Sequence, residues 1–196
     1  MKKAYQFRIY PTKKQEIKLL GILDTCRHLY NNSLSDRKKQ AELNRVKKDF
    51  QVFPWGKPEW ISKNDQMLKL TETKTERQRE VYTQVLQDAI KRVDKSFKNF
   101  FIGFGYPRFK GKNRYDSFTY PQLGFELDNE KINLSKIGSV RIFQHREIEG
   151  RIKTCTIKRD VDQWYAIFTS PLGCRGSGSP VLIVRGGSVP HLPIII

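Results

Sequence analysis

Acidic residues run out early in this chain: after Asp162 there is not one Asp or Glu. Metal-dependent nucleases gather several carboxylates around Mg²⁺. The acids that do occur lie mostly among lysines on helical stretches, where a solvated, salt-bridged face is the better reading. No catalytic site and no cofactor is therefore expected. Cysteine is as scarce: Cys26, Cys155 and Cys174 lie far apart, without any C-x-x-C pair. That excludes a zinc ribbon within this chain, argues against a disulfide scaffold and fits a reducing cytoplasm. His28, His145 and His191 are too scattered for a metal site. Long apolar runs are missing too, and the N-terminus enters a strand-like pattern at once, so neither a membrane nor a signal peptide is expected.

What the chain does have is positive charge. Its 37 Lys and Arg against 20 Asp and Glu give a formal charge of +17 over 196 residues, with 38% hydrophobic residues and 12% aromatics. That much apolar material allows a packed core, in one ordinary domain or two small ones. So basic a chain repels itself and takes a polyanion as partner.

Periodicity orders the elements. Tyr5, Phe7 and Ile9 alternate with Gln6, Arg8 and Tyr10 as in a half-buried strand, which Pro11 ends. Thr12 and Gln15 form a capping box. Ile17, Leu20, Leu23, Tyr30 and Leu34 then recur at helical spacing, predicting one long helix or two short ones from Lys13 to about Leu43. Pro54, Gly56 and Pro58, among Phe53, Trp55 and Trp60, read as a connector pinned by its aromatics. Ser62 and Asp65 suggest another cap. The clearest helix is predicted from Thr75 to Phe101, with Val81, Val85, Ala89, Val93, Phe97 and Phe100 as its apolar stripe. Gln84, Gln87, Lys91, Lys95 and Lys98 fall opposite, as a cationic ridge. From Phe118 onward the period becomes that of strands, ending in a hairpin that turns at Asp160-Val161-Asp162. One strand, a helical block, then antiparallel strands: the expected class is α+β. Its simplest form is a small antiparallel β-barrel interrupted after its first strand by the helices. From Pro171 the chain has five glycines, four prolines and no acid, and reads as a divergent tail foreign to what precedes it.

The densest chemical signal is Gly105-Tyr106-Pro107-Arg108-Phe109-Lys110-Gly111-Lys112-Asn113-Arg114-Tyr115. As extended chain it would place Arg108, Lys110, Lys112 and Arg114 on one face, roughly 6.6 Å apart, to track a phosphate backbone. Tyr106, Phe109 and Tyr115 could stack on bases or ribose. From Lys95 to Tyr115 there are six basic residues, Lys95 included, and no acidic one, which favours binding over a lysine-blunted edge strand. Gln84 and Gln87 could bond an adenine edge and the Thr119 methyl could meet thymine, while Lys98 and its neighbours supply position. Cys26 and His28 diverge on a helix, against a nucleophile pair.

Phe7-Arg8-Ile9-Tyr10-Pro11-Thr12, Cys26-Arg27-His28-Leu29-Tyr30-Asn31, Phe97-Lys98-Asn99-Phe100-Phe101 and Gly105-Tyr106-Pro107-Arg108-Phe109-Lys110 occur in this order, closed by the hairpin around Trp164-Tyr165. Over about residues 1–170 the chain thereby resembles the TnpB/OrfB family of bacterial insertion sequences. The resemblance implies the front half of an RNA-guided DNA nuclease. Residues 1–11 would be the first strand of a wedge-like β-barrel, 12–104 a helical, helix-turn-helix-like recognition lobe, 105–170 the remaining strands and 171–196 the divergent tail. It implies guide RNA scaffold and target-adjacent duplex DNA as partners, and it adds Arg27, Tyr30, Asn31 and Asn99 to the binding residues above. The RuvC-like acidic ligands and the zinc-ligating cysteines of the family have no counterpart here, so the expectation is a truncated, transposon-encoded binding protein. Alternatives are a nuclease-dead DNA-binding regulator and a recognition subunit serving a separate nuclease chain.

Overall fold

A computed structural model describes residues 2–50, 57–121, 123–128 and 130–171. The expected tail, Cys174, His191, and Phe53 and Trp55 of the connector lie outside the described residues. Strand β1 (Lys2–Tyr10) buries Tyr5, Phe7 and Ile9 and exposes Gln6, Arg8 and Tyr10, as the alternation requires. Thr12 then caps helix α1 (Lys13–Asp49): the Gln15 amide donates to Thr12 Oγ1 at 3.4 Å and the Thr12 amide donates to Gln15 Oε1 at 3.0 Å. The Gln15 side chain also donates to the Ser139 carbonyl at 2.7 Å, tying the start of α1 to the sheet.

α1 is a single unbroken helix, longer than its apolar pattern suggested. Its buried face comprises Leu19, Ile22, Leu23, Cys26, Leu29, Tyr30, Ser33 and Leu34. Ile17, expected on that stripe, is 69% exposed. It stands two positions from Leu19, about 200° around the helix, so the two cannot share a face. Ser62 and Asp65 cap α2 (Lys63–Glu72) reciprocally, at 2.8 and 3.2 Å. The helix expected from Thr75 to Phe101 is in fact two. A single turn, α3 (Glu76–Arg79), is followed by a break that tucks Val81 into the core, and α4 (Thr83–Phe101) starts after the extended Tyr82. Trp60 is exposed, and at the end of the connector the Asn44 amide donates to the Glu59 carbonyl at 2.6 Å.

After α4 come β2 (Ser117–Tyr120), β3 (Phe125–Asp128), β4 (Lys131–Leu134), β5 (Gly138–Phe143), β6 (Thr154–Asp160) and β7 (Gln163–Pro171). They join β1 in one antiparallel sheet of order β2-β6-β7-β1-β5-β4-β3. The class is α+β, with the helices inserted after the first strand, but the sheet is not closed into the expected barrel. Its two ends, β2 and β3, have only four residues each and pair with β6 and β4 alone. A side chain reaches across instead of a ladder: the Tyr120 hydroxyl donates to the Ser135 carbonyl at 3.1 Å.

Register keeps the buried residues on one face. Tyr5 lies opposite Phe168, Phe7 opposite Ala166, Ile9 opposite both Trp164 and Ile142, and Ile157 opposite Phe118. One hydrophobic core joins that face to the buried faces of α1 and α4. Each large side chain taken fully out of water there contributes about 1.5–3 kcal/mol. Among the described residues no helix is long and apolar enough to cross a membrane.

Candidate nucleic-acid interface

α4 is held on the sheet by Arg92. Its guanidinium pairs with Asp88 at 2.9 Å and donates to the Ser117 carbonyl at 2.8 Å and to Thr119 Oγ1 at 2.9 Å, both on β2. It also lies 5.5 Å from the centroid of the Tyr115 ring. Beside α4, the Tyr30 hydroxyl of α1 meets Ser96 Oγ at 3.3 Å, and Arg37 of α1 reaches both Gln66 of α2 and Asp94 of α4. These contacts make a rigid helical platform on the sheet.

The basic strip crosses this platform. It is not extended throughout: residues 104–111 are irregular, and a turn closes with the Arg114 amide donating to the Gly111 carbonyl at 3.0 Å. Arg108, Lys110, Lys112 and Arg114 therefore do not form the evenly spaced row that an extended chain predicts. Glycine at 111 and the turn after it redirect Lys112 and Arg114, and the solvated edge strand is equally absent. What fixes the strip is α1. The Asn31 side chain donates to the Lys110 carbonyl at 2.9 Å and accepts from the Lys110 amide at 2.8 Å, imitating a strand partner. Seven residues along α1, the Lys38 ammonium sits 4.5 Å from the Phe109 ring centroid and 5.1 Å from that of Tyr106. Tyr106 packs edge-on against Phe97 and Phe100 of α4.

Between α1, α4 and the strip opens a cleft of about 240 Å³. Tyr30, Arg92, Lys95, Ser96 and Asn99 line it from the helices, and Lys110, Arg114, Tyr115 and Asp116 from the strip and its exit. Among the described residues Lys95, Lys110 and Arg114 enter no ion pair, and neither do Lys91, Arg108 and Lys112 around them. Such unpaired cations converging on a concavity make a local field suited to an anion.

Of the residues singled out from the sequence, Tyr30, Lys95, Asn99, Lys110 and Arg114 thus meet at one place. Lys91, Arg108 and Lys112 stand exposed, Phe109 and Tyr106 are partly exposed beneath Lys38, and Lys98 is exposed with a 3.2 Å pair to Asp94. Asn31 spends its amide on Lys110. Others are placed elsewhere or are occupied. Arg27 is paired with Asp24 at 2.7 Å, the Gln84 Oε1 is buried without a hydrogen-bond partner, and Gln87 is half-buried. The Thr119 hydroxyl accepts from Arg92 and bonds Thr156 at 3.0 Å. Tyr115 is buried, so its ring is not free to stack on a base.

Sequence reasoning missed Arg92, Ser96 and Lys38. Asp88 and Arg92 stand four apart, the spacing of a helical ion pair, which is a signal for Arg92. Nothing local marks the other two. No group of three or more His, Cys, Asp or Glu among the described residues could hold a metal ion.

An antiparallel sheet is thus split after its first strand by a helical platform, with a cationic cleft at the exit from that platform. Residues 1–45, which are β1 and most of α1, match the helix-turn-helix domain family of IS605 OrfB proteins. In this structure the matched residues run as a strand followed by one continuous helix. The chain is similar to a protein of Escherichia coli K12 provisionally named RNA-guided DNA endonuclease InsQ, 29% identical over 166 residues. That alignment covers 83% of this chain and 39% of the relative. A second relative, from Streptomyces pristinaespiralis and provisionally named RNA-guided DNA endonuclease, is 27% identical over 176 residues, 84% of this chain and 40% of the relative. The chain is thus similar, over most of its own length, to proteins of this kind, and it spans about 40% of the length of these relatives.

Proposed function

We propose that this chain binds nucleic acid through the cleft between α1, α4 and the basic strip. The observation that carries the reading is the convergence of Lys95, Lys110 and Arg114, none of them ion-paired among the described residues, on a single concavity. Lys91, Arg108 and Lys112 extend the positive surface on either side. Such cations neutralise phosphates and fix position without reading sequence. RNA and DNA are the polyanions that the relatives' names suggest, and Asn99 on the α4 wall offers an amide to either. Gln87, half-buried on α4, could contact a base edge through its amide, whereas the Gln84 Oε1 is buried.

The test is the salt dependence of binding. If Arg108, Lys110, Lys112 and Arg114 neutralise about four phosphates, they contribute roughly −3 to −4 to the slope of log affinity against log salt. Replacing all four by Gln should flatten the slope by that amount. An unchanged slope would place the binding surface elsewhere.

A further inference from the structure

Helix α4 ends in a group of apolar side chains that the core does not use. Phe101 is 78% exposed, Ile102 73% and Phe104 63%. The backbone holds them there. Gly103, at φ 98°, closes the helix: its amide donates to the Phe100 carbonyl at 3.1 Å, and the Phe104 amide donates to the Asn99 carbonyl at 3.0 Å. In a helix end of this kind the residue in the place of Phe104 commonly packs on the residue in the place of Asn99. Asparagine at 99 offers no apolar partner for that contact, and Phe104 stands in water. Ring contacts continue from here to the strip. Phe101 lies 5.4 Å from Phe100 and Phe100 lies 5.1 Å from Tyr106, centroid to centroid. Tyr106 shares the Lys38 ammonium with Phe109, and both residues remain exposed.

Charge says what such a surface takes. Lys38, Arg108 and Lys110 enter no ion pair among the described residues. No acid occurs from Lys95 to Tyr115. Asn99, whose carbonyl anchors Phe104, also lines the cationic cleft, so the aromatic surface continues the proposed interface. A partner that is polyanionic and also carries flat apolar faces is a nucleic acid with its bases unpaired. In a duplex those faces are already stacked on one another. We propose that the end of α4 is a stacking platform for unpaired nucleobases, with Phe101 and Phe104 as the rings that receive them beside a cleft that holds the backbone. This rests on the nucleic-acid reading above and deepens it: the cations meet the phosphates of any polynucleotide, whereas the platform selects a single strand.

The test compares three probes on the same chain: a short DNA single strand, the same strand made abasic throughout, and its duplex. The two single strands carry equal numbers of phosphates, so their difference reads the bases. Wild type should prefer the base-bearing strand by roughly 5- to 150-fold for each stacked base. Phe101→Ala combined with Phe104→Ala, at two exposed positions, should bring that affinity down towards the abasic value. Its salt slope, and its affinities for the abasic strand and the duplex, should stay as in the wild type, since no charge is removed. Phe104→Ala alone carries the test if the double variant does not fold. An abasic strand bound as tightly as the base-bearing one, or a base preference that survives in the double variant, would overturn the platform and leave the nucleic-acid reading standing. Failure of all three probes to bind would sink that reading and the platform with it. A chain that sediments as a dimer, with the dimer lost in the double variant and no base preference, would assign the face to a second copy and overturn the proposal.

Discussion

Asn31→Ala isolates the contact that aims the strip. The side chain makes two hydrogen bonds, at 2.9 and 2.8 Å, both to the backbone of Lys110, across 79 positions of sequence. Each is worth about 0.5–1.5 kcal/mol net, so the strip should lose roughly 1–3 kcal/mol of local stability. At 1.4 kcal/mol per factor of ten, the open state of the strip becomes about 5 to 150 times more populated. Because Asn31 is not one of the core residues, the thermal midpoint of the whole chain should hardly move. The assay is amide hydrogen exchange at Lys110, supported by the rate of tryptic cleavage after Lys110 and Lys112 in the free protein. Nucleic-acid affinity should fall while the salt slope stays unchanged, since no charge is removed. Asn31→Asp keeps the acceptor for the Lys110 amide but sets a carboxylate against the Lys110 carbonyl, and should loosen the strip as well. Exchange at Lys110 that is identical in Asn31→Ala and wild type would show that the strip holds its shape without the clamp, and would refute the reasoning.

Burial raises the Cys26 thiol to about 12 and pushes Cys155 up as well, so both should resist alkylation in the native protein at neutral pH, with labelling that tracks unfolding; rapid native labelling of either would contradict their place in the core. The Arg27 hydrogen bond holds the Asp24 carboxyl below its ordinary value of 3.8, with burial opposing and the Arg27 and His28 charges assisting. A depressed folded pKa stabilises the fold above the unfolded value and is lost as pH falls through the folded one. Asp24→Asn should therefore cost a little stability at pH 7 and nothing at the acid end, and a deficit that persists at low pH would point to another cause. Val161, 80% exposed, adopts φ 52° in the two-residue β6–β7 loop, a conformation that β-branched residues disfavour. Val161→Gly should stabilise the chain by about 1 kcal/mol in denaturant unfolding, and a loss of stability would mean that the turn does not hold this strain.

Elements whose pattern repeats within a few residues were legible in the sequence. The alternation of β1, the caps at Thr12 and Ser62, the apolar stripe of α4 and the hairpin turn at Val161 each follow from local chemistry. Failures came where a distant partner decides. Ile17 has the right residue type for a core stripe, but the sheet meets α1 on the face of Leu19 and Leu23. The break before α4 serves the burial of Val81, which no helical period reveals. Closure of the sheet depends on whether β2 and β3 meet, and that depends on strand lengths rather than on alternation. Charge at the site was visible as composition, since Lys95, Lys110 and Arg114 stand in one acid-free stretch. Their convergence was not visible, because it depends on the turn after Gly111 and on a clamp from Asn31 on another helix. Arg92 was hidden for a similar reason: it is a basic residue in a basic region, and only its reach to Ser117 and Thr119 shows it to be structural.

In the proposed complex, nucleic acid lies over the cleft and the strip. Lysine acetylation of the native chain, with and without saturating oligonucleotide and read by mass spectrometry, tests it directly. Lys95, Lys110 and Lys112, together with Lys91, should be protected in the complex, while Lys131 and Lys136 on the β4 side of the sheet should react equally in both states. Protection confined to Lys131 and Lys136, with Lys95 and Lys110 still reactive in the complex, would contradict the account.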